Sequence, residues 1–503
     1  MVFADLFFLF VFLPLFILLY AAAGVIDRQM LRKPSVVATS AGGAQTSLTY
    51  EVGQSKTHIM RNVVLVGFSL LFYAWGEPIY IMLMLLSVMI NYGVGMAIFS
   101  TEEKKRKKWW LAGGVAVNLL ILGSFKYLEF FADIFGWFGL QVSVPHITLP
   151  IGISFYIFQS ISYLVDVYRG DAPVQRSYWG LLLYISMFPQ LIAGPIVRYS
   201  TVAREIHSRH VTSKDIADGV FRFLIGLGKK VLLANQLGEI TTKMLAGGMT
   251  ETSVAGAWIG VITFTLQLYY DFSGYTDMAI GIGRCLGFRF CENFNHPFCS
   301  TTITEFWRRW HISMGSFFRD YVYIPLGGNR RHQLLNIMAV WMLTGLWHGA
   351  SWNFVLWGLY YGVILLIEKN TILRIKEKIP TALLSFYTII IVLIGNGIFY
   401  FYDMGSLSHF FSVAFGQTGA PAFTFEDKTV LFERFWLLLV ALVICLPVRP
   451  AVSKVSERVL AKVDGAHDKA VLITRFVISA VILILSVALL VGATNNAFLY
   501  TRF

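Results

Sequence analysis

Thr344-Gly345-Leu346-Trp347-His348-Gly349-Ala350-Ser351-Trp352-Asn353 lies near the middle of an apolar stretch that runs from about Asn336 to Ile367. At about 30 residues this stretch exceeds the roughly 20 that one bilayer-spanning helix needs. It opens after Arg330-Arg331 and closes at Glu368-Lys369. Basic residues collect in cytoplasmic loops, so basic groups at both ends imply an even number of crossings or two half-helices meeting near His348. An ionisable side chain at that depth is costly and normally faces a cavity or a partner. Gly345 and Gly349 permit close backbone approach, and Trp347 and Trp352 suit either a narrow tunnel wall or plain packing.

Outward from this stretch, the composition is that of a membrane protein. Of 503 residues, 56% are hydrophobic and only 14% charged, which predicts an all-α polytopic chain in a lipid bilayer. The net charge of +12 has its explanation in cytoplasmic loops. No basic groove interleaved with stacking rings points to nucleic acid. Cys285, Cys291, Cys299 and Cys445 lack the spacing of a zinc or redox motif, so they read as unpaired packing residues with no metal site. Phe3 to Tyr20 has no basic leader and too long an apolar run for a signal peptide, so it reads as the first span.

Basic clusters order the crossings. Arg28, Arg32 and Lys33 follow the first helix, which puts the N-terminus outside. Asn62–Trp75 and Tyr80–Phe99 form a hairpin around Gly76-Glu77-Pro78 and return to Lys104-Lys105-Arg106-Lys107-Lys108. Trp109 to about Leu140 goes out and Ile151–Val167 returns. Leu181–Val197, with Phe188-Pro189-Gln190 and Ala193-Gly194-Pro195 between basic flanks, reads as re-entrant or broken; such backbone is tolerated only inside protein or along a cavity. Helices near Ile216–Leu245 and Val254–Ile282 precede a polar, aromatic centre from Glu292 to Arg331. Helices near Thr381–Phe401, Phe432–Val448 and Val471–Val491 complete about 11 to 13 membrane segments, alternating with basic loops at Arg374–Lys378 and Arg449–Lys462 and leaving Tyr500-Thr501-Arg502-Phe503 outside.

Three clusters can carry chemistry. His348 is the histidine most deeply set in apolar sequence, and a neutral imidazole can accept and return a proton. Phe306-Trp307-Arg308-Arg309-Trp310-His311-Ile312-Ser313, followed by Arg319 and Arg330, sets four arginines among rings. That pattern suits a phosphorylated, planar ligand such as coenzyme A, and equally a cytoplasmic anchor beside an aromatic belt. Asp271 and Asp277 fall inside Gln267-Leu268-Tyr269-Tyr270-Asp271-Phe272-Ser273-Gly274-Tyr275-Thr276-Asp277, where a carboxylate can orient a histidine or pair with a cation. No hydrolase elbow, phosphate-binding loop or zincin motif occurs.

Several collinear stretches resemble the membrane-bound O-acyltransferase superfamily, in particular its bacterial branch of alginate and peptidoglycan O-acetyltransferase membrane subunits. They are Leu149-Pro150-Ile151-Gly152-Ile153-Ser154-Phe155-Tyr156, Phe188-Pro189-Gln190-Leu191-Ile192-Ala193-Gly194-Pro195-Ile196-Val197-Arg198, Asp271-Phe272-Ser273-Gly274-Tyr275, Phe306 to Arg330 and Trp347-His348-Gly349.

The resemblance implies one domain over 1–503 enclosing a central tunnel, with its catalytic centre at about 145–367 and C-terminal helices at about 381–503. It implies His348 and His311 as the catalytic pair and acetyl-CoA as a cytosolic donor rather than a permanently bound cofactor; the arginine-aromatic pattern itself offers Arg308, Arg309, Arg319, Arg330, Trp307 and Trp310 as the docking site. Asp271, Trp347 and Asn353 would support the tunnel. The acceptor would be an exported acetyltransferase partner or a cell-surface polysaccharide beyond the bacterial cytoplasmic membrane. D-alanyl transfer to teichoic acid is the neighbouring alternative. A transporter or flippase also has broken helices and intramembrane polar groups, but it often shows repeated halves, and none is visible.

Overall fold

A computed structural model describes residues 2–31, 58–140, 142–145, 147–245, 252–447, 466–493 and 498–499. Among these, every regular element is a helix and a single antiparallel bridge joins Phe294 to Trp310. A π-helical turn at Phe8–Phe12 leads into α1 (Leu13–Leu31). The hairpin expected around Gly76-Glu77-Pro78 is α2 (Ile59–Gly76) and α3 (Ile81–Ser100). The lysine run forms the first turn of α4 (Lys104–Lys126). Here the sequence reading needs correction: the segment from Trp109 to Leu140 breaks at Tyr127 and resumes as α5 (Leu128–Trp137). The break has a physical reason, because Lys126 and Tyr127 both turn to bond the end of a distant helix.

α6 (Ile153–Arg169) begins after Gly152, whose φ is 77°. A Cβ there would lie 3.0 Å from the Leu191 carbonyl oxygen, so glycine meets both a left-handed backbone and a close approach. Leu191 ends the broken segment read in the sequence, which consists of α7 (Tyr178–Ser186) and the one-turn α8 (Phe188–Leu191), parted at Met187. Its irregular backbone is satisfied from inside the protein: Phe188 N–H donates to Ser69 Oγ at 3.1 Å and Ile196 N–H to Ser313 Oγ at 3.0 Å, as lipid surroundings require.

α9 (Tyr199–His207) is followed by α10 (Ser213–Gly228), a π-helical turn (Lys229–Ala234) and α11 (Asn235–Leu245), then by α12 (Val254–Leu286). α10 and α12 meet backbone to backbone. A Cβ on Gly219 would come within 2.6 Å of the Gly281 carbonyl oxygen, and one on Gly226 within 2.5 Å of that of Gly274. Small residues at one spacing on both helices are the usual device for close helix approach in lipid. The wider π turn then lets two consecutive lysines reach α12: Lys229 Nζ lies 2.6 Å from Asp277 Oδ2 and Lys230 Nζ 2.5 Å from Asp271 Oδ1.

The polar centre contributes α13 (Ile303–Arg309) and α14 (Ile312–Phe318), continued by a π-helical turn at Arg319–Tyr323. α15 (Gln333–His348) and α16 (Trp352–Asn370) are the two helices expected to meet near His348. They pack through glycine, since a Cβ on Gly345 would stand 2.2 Å from the Phe354 carbonyl oxygen and one on Gly358 2.5 Å from that of Trp341. α17 (Ile372–Ile375), α18 (Thr381–Tyr400), α19 (Met404–Ala414), α20 (Phe425–Glu433), α21 (Phe435–Ile444) and α22 (Ala466–Val491) follow.

Among the described residues, six helical segments are long and apolar enough to cross a membrane: Phe8–Met30, α2, α3, α4, α18 and Val471–Val491. The remaining apolar segments are shorter or carry polar groups that the fold buries. The loop expected at Arg449–Lys462 and the end at Tyr500–Phe503 lie outside the described residues. Two apolar cores result, one built around α1, α2, α6 and α7, the other around α11, α16 and α18. α12 is their shared wall, giving Phe272 and Tyr275 to the first and Tyr269 and Tyr270 to the second.

Candidate active site

The two histidines read from sequence pack against one ring. His348 is the last residue of α15 and 6% exposed; His311 is fully buried. Trp347 is their common neighbour, with ring centroids 4.7 Å from His348 and 5.7 Å from His311.

His311 is held by strain and by a polar clamp. Its φ of 45° and ψ of 54° are left-handed, a conformation uncommon for a residue with a side chain and typical of sites the surroundings over-determine. The bridge between Phe294 and Trp310 fastens the preceding segment alongside. One position earlier, Asn293 Oδ1 accepts from Ser313 N–H at 3.2 Å and Ser313 Oγ at 2.9 Å. A backbone N–H donor identifies that atom as oxygen, so His311 Nδ1, 3.1 Å away, is a donor. In the neutral ring the basic nitrogen is therefore Nε2. Phe272 meets the ring edge-on at 4.7 Å.

His348 stands in an aromatic cage. Its centroid is 5.0 Å from Trp357, 5.0 Å from Phe399 and 6.3 Å from Phe354. Asn353 secures Phe399 by donating to the Ile398 and Phe399 carbonyls at 3.4 and 3.3 Å. The buried indole N–H groups of Trp357 and Trp307 have no hydrogen-bond acceptor among the described residues. Below His348, α4 reaches across: Tyr127 Oη donates to the Leu346 carbonyl at 2.8 Å, and Lys126 Nζ donates to the Trp347 carbonyl and lies 3.5 Å from that of His348. A cavity of about 410 Å³ opens beside this junction, lined by Lys126, Glu129, Thr148, Gly349, Ser351 and Tyr402 among others.

The arginines expected to form one docking site divide between elements. Arg309 bonds Glu305 at 2.6 Å, while Arg308 and Arg330 are exposed on separate elements. Trp310 stacks on Phe306 at 5.6 Å in the core, and Trp307 packs against Trp357 at 5.4 Å. Arg319 alone belongs to a convergence, with two partners the sequence reading did not single out. Arg319 Nε is 2.6 Å and Arg198 Nη2 2.5 Å from Asp320, and Arg169 donates to the Asp320 carbonyl at 3.1 Å. Arg169 and Arg198 also cover the Tyr321 ring, at 5.5 and 5.4 Å. Burial works against the Asp320 charge, yet the bonds from Arg319 and Arg198 hold its carboxyl below the ordinary range. From this cluster a file of rings leads inward: Tyr321 to Phe317 at 4.9 Å, Phe317 to Phe158 at 4.3 Å and Phe158 to Trp347 at 5.9 Å.

Asp271 lies behind His311 rather than beside His348. It pairs with Lys230 and accepts the Leu499 N–H at 2.8 Å. The neighbouring Phe498 packs on Tyr275 at 4.8 Å and on Phe272 at 6.3 Å. Asp277 has a separate task, bonding Arg222 at 2.8 Å beside Lys229. The cysteines are free thiols, as expected.

With this geometry in place, comparison with known proteins is decisive. The model of MBOAT, the membrane-bound O-acyltransferase family, matches residues 171–403, a range that holds both histidines. The probable alginate O-acetylase AlgI of Azotobacter vinelandii is 42% identical over 348 residues, 67% of this chain and 69% of that one. The chain belongs to the membrane-bound O-acyltransferase family. It is accordingly a multi-pass membrane acyltransferase. Among its other relatives, the peptidoglycan O-acetyltransferase of Helicobacter pylori is 36% identical over 347 residues, covering 63% of this chain and 66% of that protein. The teichoic acid D-alanyltransferase of Bacillus subtilis is 30% identical over 236 residues, covering 44% and 59%. The acyltransferase's Asn293, Trp357, Lys126 and Arg169 escaped the sequence reading, since nothing in their local context separates them from ordinary loop and helix residues; Arg198 was read only as the end of a motif stretch, with no role given.

Proposed function

We propose that the chain transfers acetyl from cytosolic acetyl-CoA to a hydroxyl presented from the opposite face of a bacterial cytoplasmic membrane, for O-acetylation of an exported or cell-surface polysaccharide. The observation that carries this reading is the packing of His348 and His311 on the same ring, Trp347, at which a file of rings from an arginine cluster ends and near which a cavity opens. Alginate and peptidoglycan acceptors are supported by the relatives' names. An exported acetyltransferase takes the group onward, and the N-terminus lies outside.

In this mechanism His348 takes the proton of the acceptor hydroxyl as its oxygen attacks the thioester carbonyl. The new C–O bond forms first, the C–S bond then breaks, and the imidazolium returns its proton to the departing thiolate. The indole N–H of Trp357 and the donors around His311 stabilise the oxyanion formed between these events. Donor phosphates dock at Arg169, Arg198 and Arg319, whose fork-shaped groups suit phosphate, rather than at Arg308 and Arg309. Replacing Arg169 and Arg319 together by Ala is expected to raise the KM for acetyl-CoA about tenfold, the scale of one lost charge-assisted bond, with kcat little changed. The same loss in Arg308→Ala/Arg309→Ala, with none in the first pair, would move the docking site back to α13.

The test of the reading is transfer in proteoliposomes. Acetyl-CoA labelled in its acetyl group and supplied on one side should yield labelled acceptor with stoichiometric free coenzyme A. Movement of substrate without donor consumption would instead make the protein a transporter.

A further inference from the structure

α15 ends at His348 without a side-chain cap of its own, and the next residue, Gly349, turns away in extended conformation. The last carbonyls of a helix have no partners within it and carry the negative end of its dipole. In lipid they must be satisfied by protein. Here they are met from α4: Tyr127 Oη donates to Leu346, and the Lys126 ammonium reaches Trp347 and His348. These are bonds across more than 200 positions of sequence, at the one place where α4 stops being helical. Lys126 also lines the 410 Å³ cavity, as do Gly349 and Phe354.

We infer that Lys126 is the positioning residue of His348: with Tyr127 it clamps the final turn of α15 so that the imidazole keeps one orientation. This deepens the acetyl-transfer reading and rests on it for its kinetic consequence. The clamp works by hydrogen bonding as well as packing, because the Lys126 nitrogen offers several donors to carbonyls that an apolar side chain would leave unmet. Displacement of a reacting group by about 1 Å costs on the order of 10²-fold in rate, and that is the loss expected when the clamp goes.

The experiment compares Lys126→Met, Lys126→Ala and Tyr127→Phe with the unmodified full-length protein in proteoliposomes. Lys126→Met should lose about 10²-fold in kcat while the KM for acetyl-CoA stays within about twofold. Lys126→Ala should lose as much and regain at least tenfold on addition of propylamine, which enters through the cavity; Lys126→Met, whose side chain fills the space, should not respond. Tyr127→Phe should show a smaller kcat loss with unchanged KM. Hydrogen exchange read by mass spectrometry supplies a measure that needs no turnover: amides of residues 345–349 should exchange at least tenfold faster in Lys126→Met.

Wild-type kcat and wild-type exchange in Lys126→Met would overturn the inference. So would a Lys126→Ala protein of normal thermal stability that propylamine fails to restore. If the unmodified protein does not consume acetyl-CoA, the acetyl-transfer reading fails, and the exchange measurement still decides the clamp.

Discussion

His348→Ala protein is expected to transfer acetyl about 10²- to 10⁴-fold more slowly than the unmodified enzyme, the contribution of a positioned general base. The fold should survive. The turn that carries residue 348 is held through backbone carbonyls bonded by Lys126 and Tyr127, and the cage of Trp357, Phe399 and Phe354 is fastened independently by Asn353. Thermal unfolding in detergent should therefore move little, and the KM for acetyl-CoA should stay near its starting value because the arginine convergence is untouched. Acetylation at the wild-type rate would remove His348 from the chemistry. His311→Ala separates the roles: its ring is bonded to Asn293, so its loss should disturb both rate and stability.

The largest stability effect should come from Asp271→Ala. Asp271 is 1% exposed and its partner Lys230 only 7%. Removing the carboxylate leaves a buried ammonium without its counter-ion and strips the acceptor from the Leu499 N–H. Breaking one side of such a pair costs about 3–5 kcal/mol. Apolar replacement of both partners avoids that stranded charge and is often close to neutral. Lys230→Met/Asp271→Leu should then unfold at a higher temperature than Asp271→Ala, and a double variant no more stable than the single one would show that the pair is not the source of the loss. Activity in Asp271→Ala should fall as well, since the next residue, Phe272, abuts His311.

Much of the architecture was legible because membrane depth makes certain residues expensive. Basic groups at both ends of 334–367 implied a pair of helices meeting near His348, and α15 and α16 are that pair. Gly and Pro inside 181–197 implied a broken segment, and α7 and α8 part at Met187. What stayed hidden depends on residues distant in sequence. Arg169, Arg198 and Arg319 come from three elements, so counting arginines near His311 found only one of them. Lys126 fell unremarked inside the segment read from Trp109 to about Leu140, because no local feature announces that its side-chain nitrogen serves another helix. Asn293 is one asparagine in a polar loop, and its clamp on His311 exists only once Phe294 and Trp310 are paired.

The seat of Leu499 on Asp271 also has a consequence in time. The two residues are 228 positions apart, and ribosomes add about 5–20 residues per second. The Lys230–Asp271 pair thus waits on the order of ten seconds or more in the membrane before the strand that covers it has been synthesised. A nascent chain has both histidines long before it has the wall behind His311.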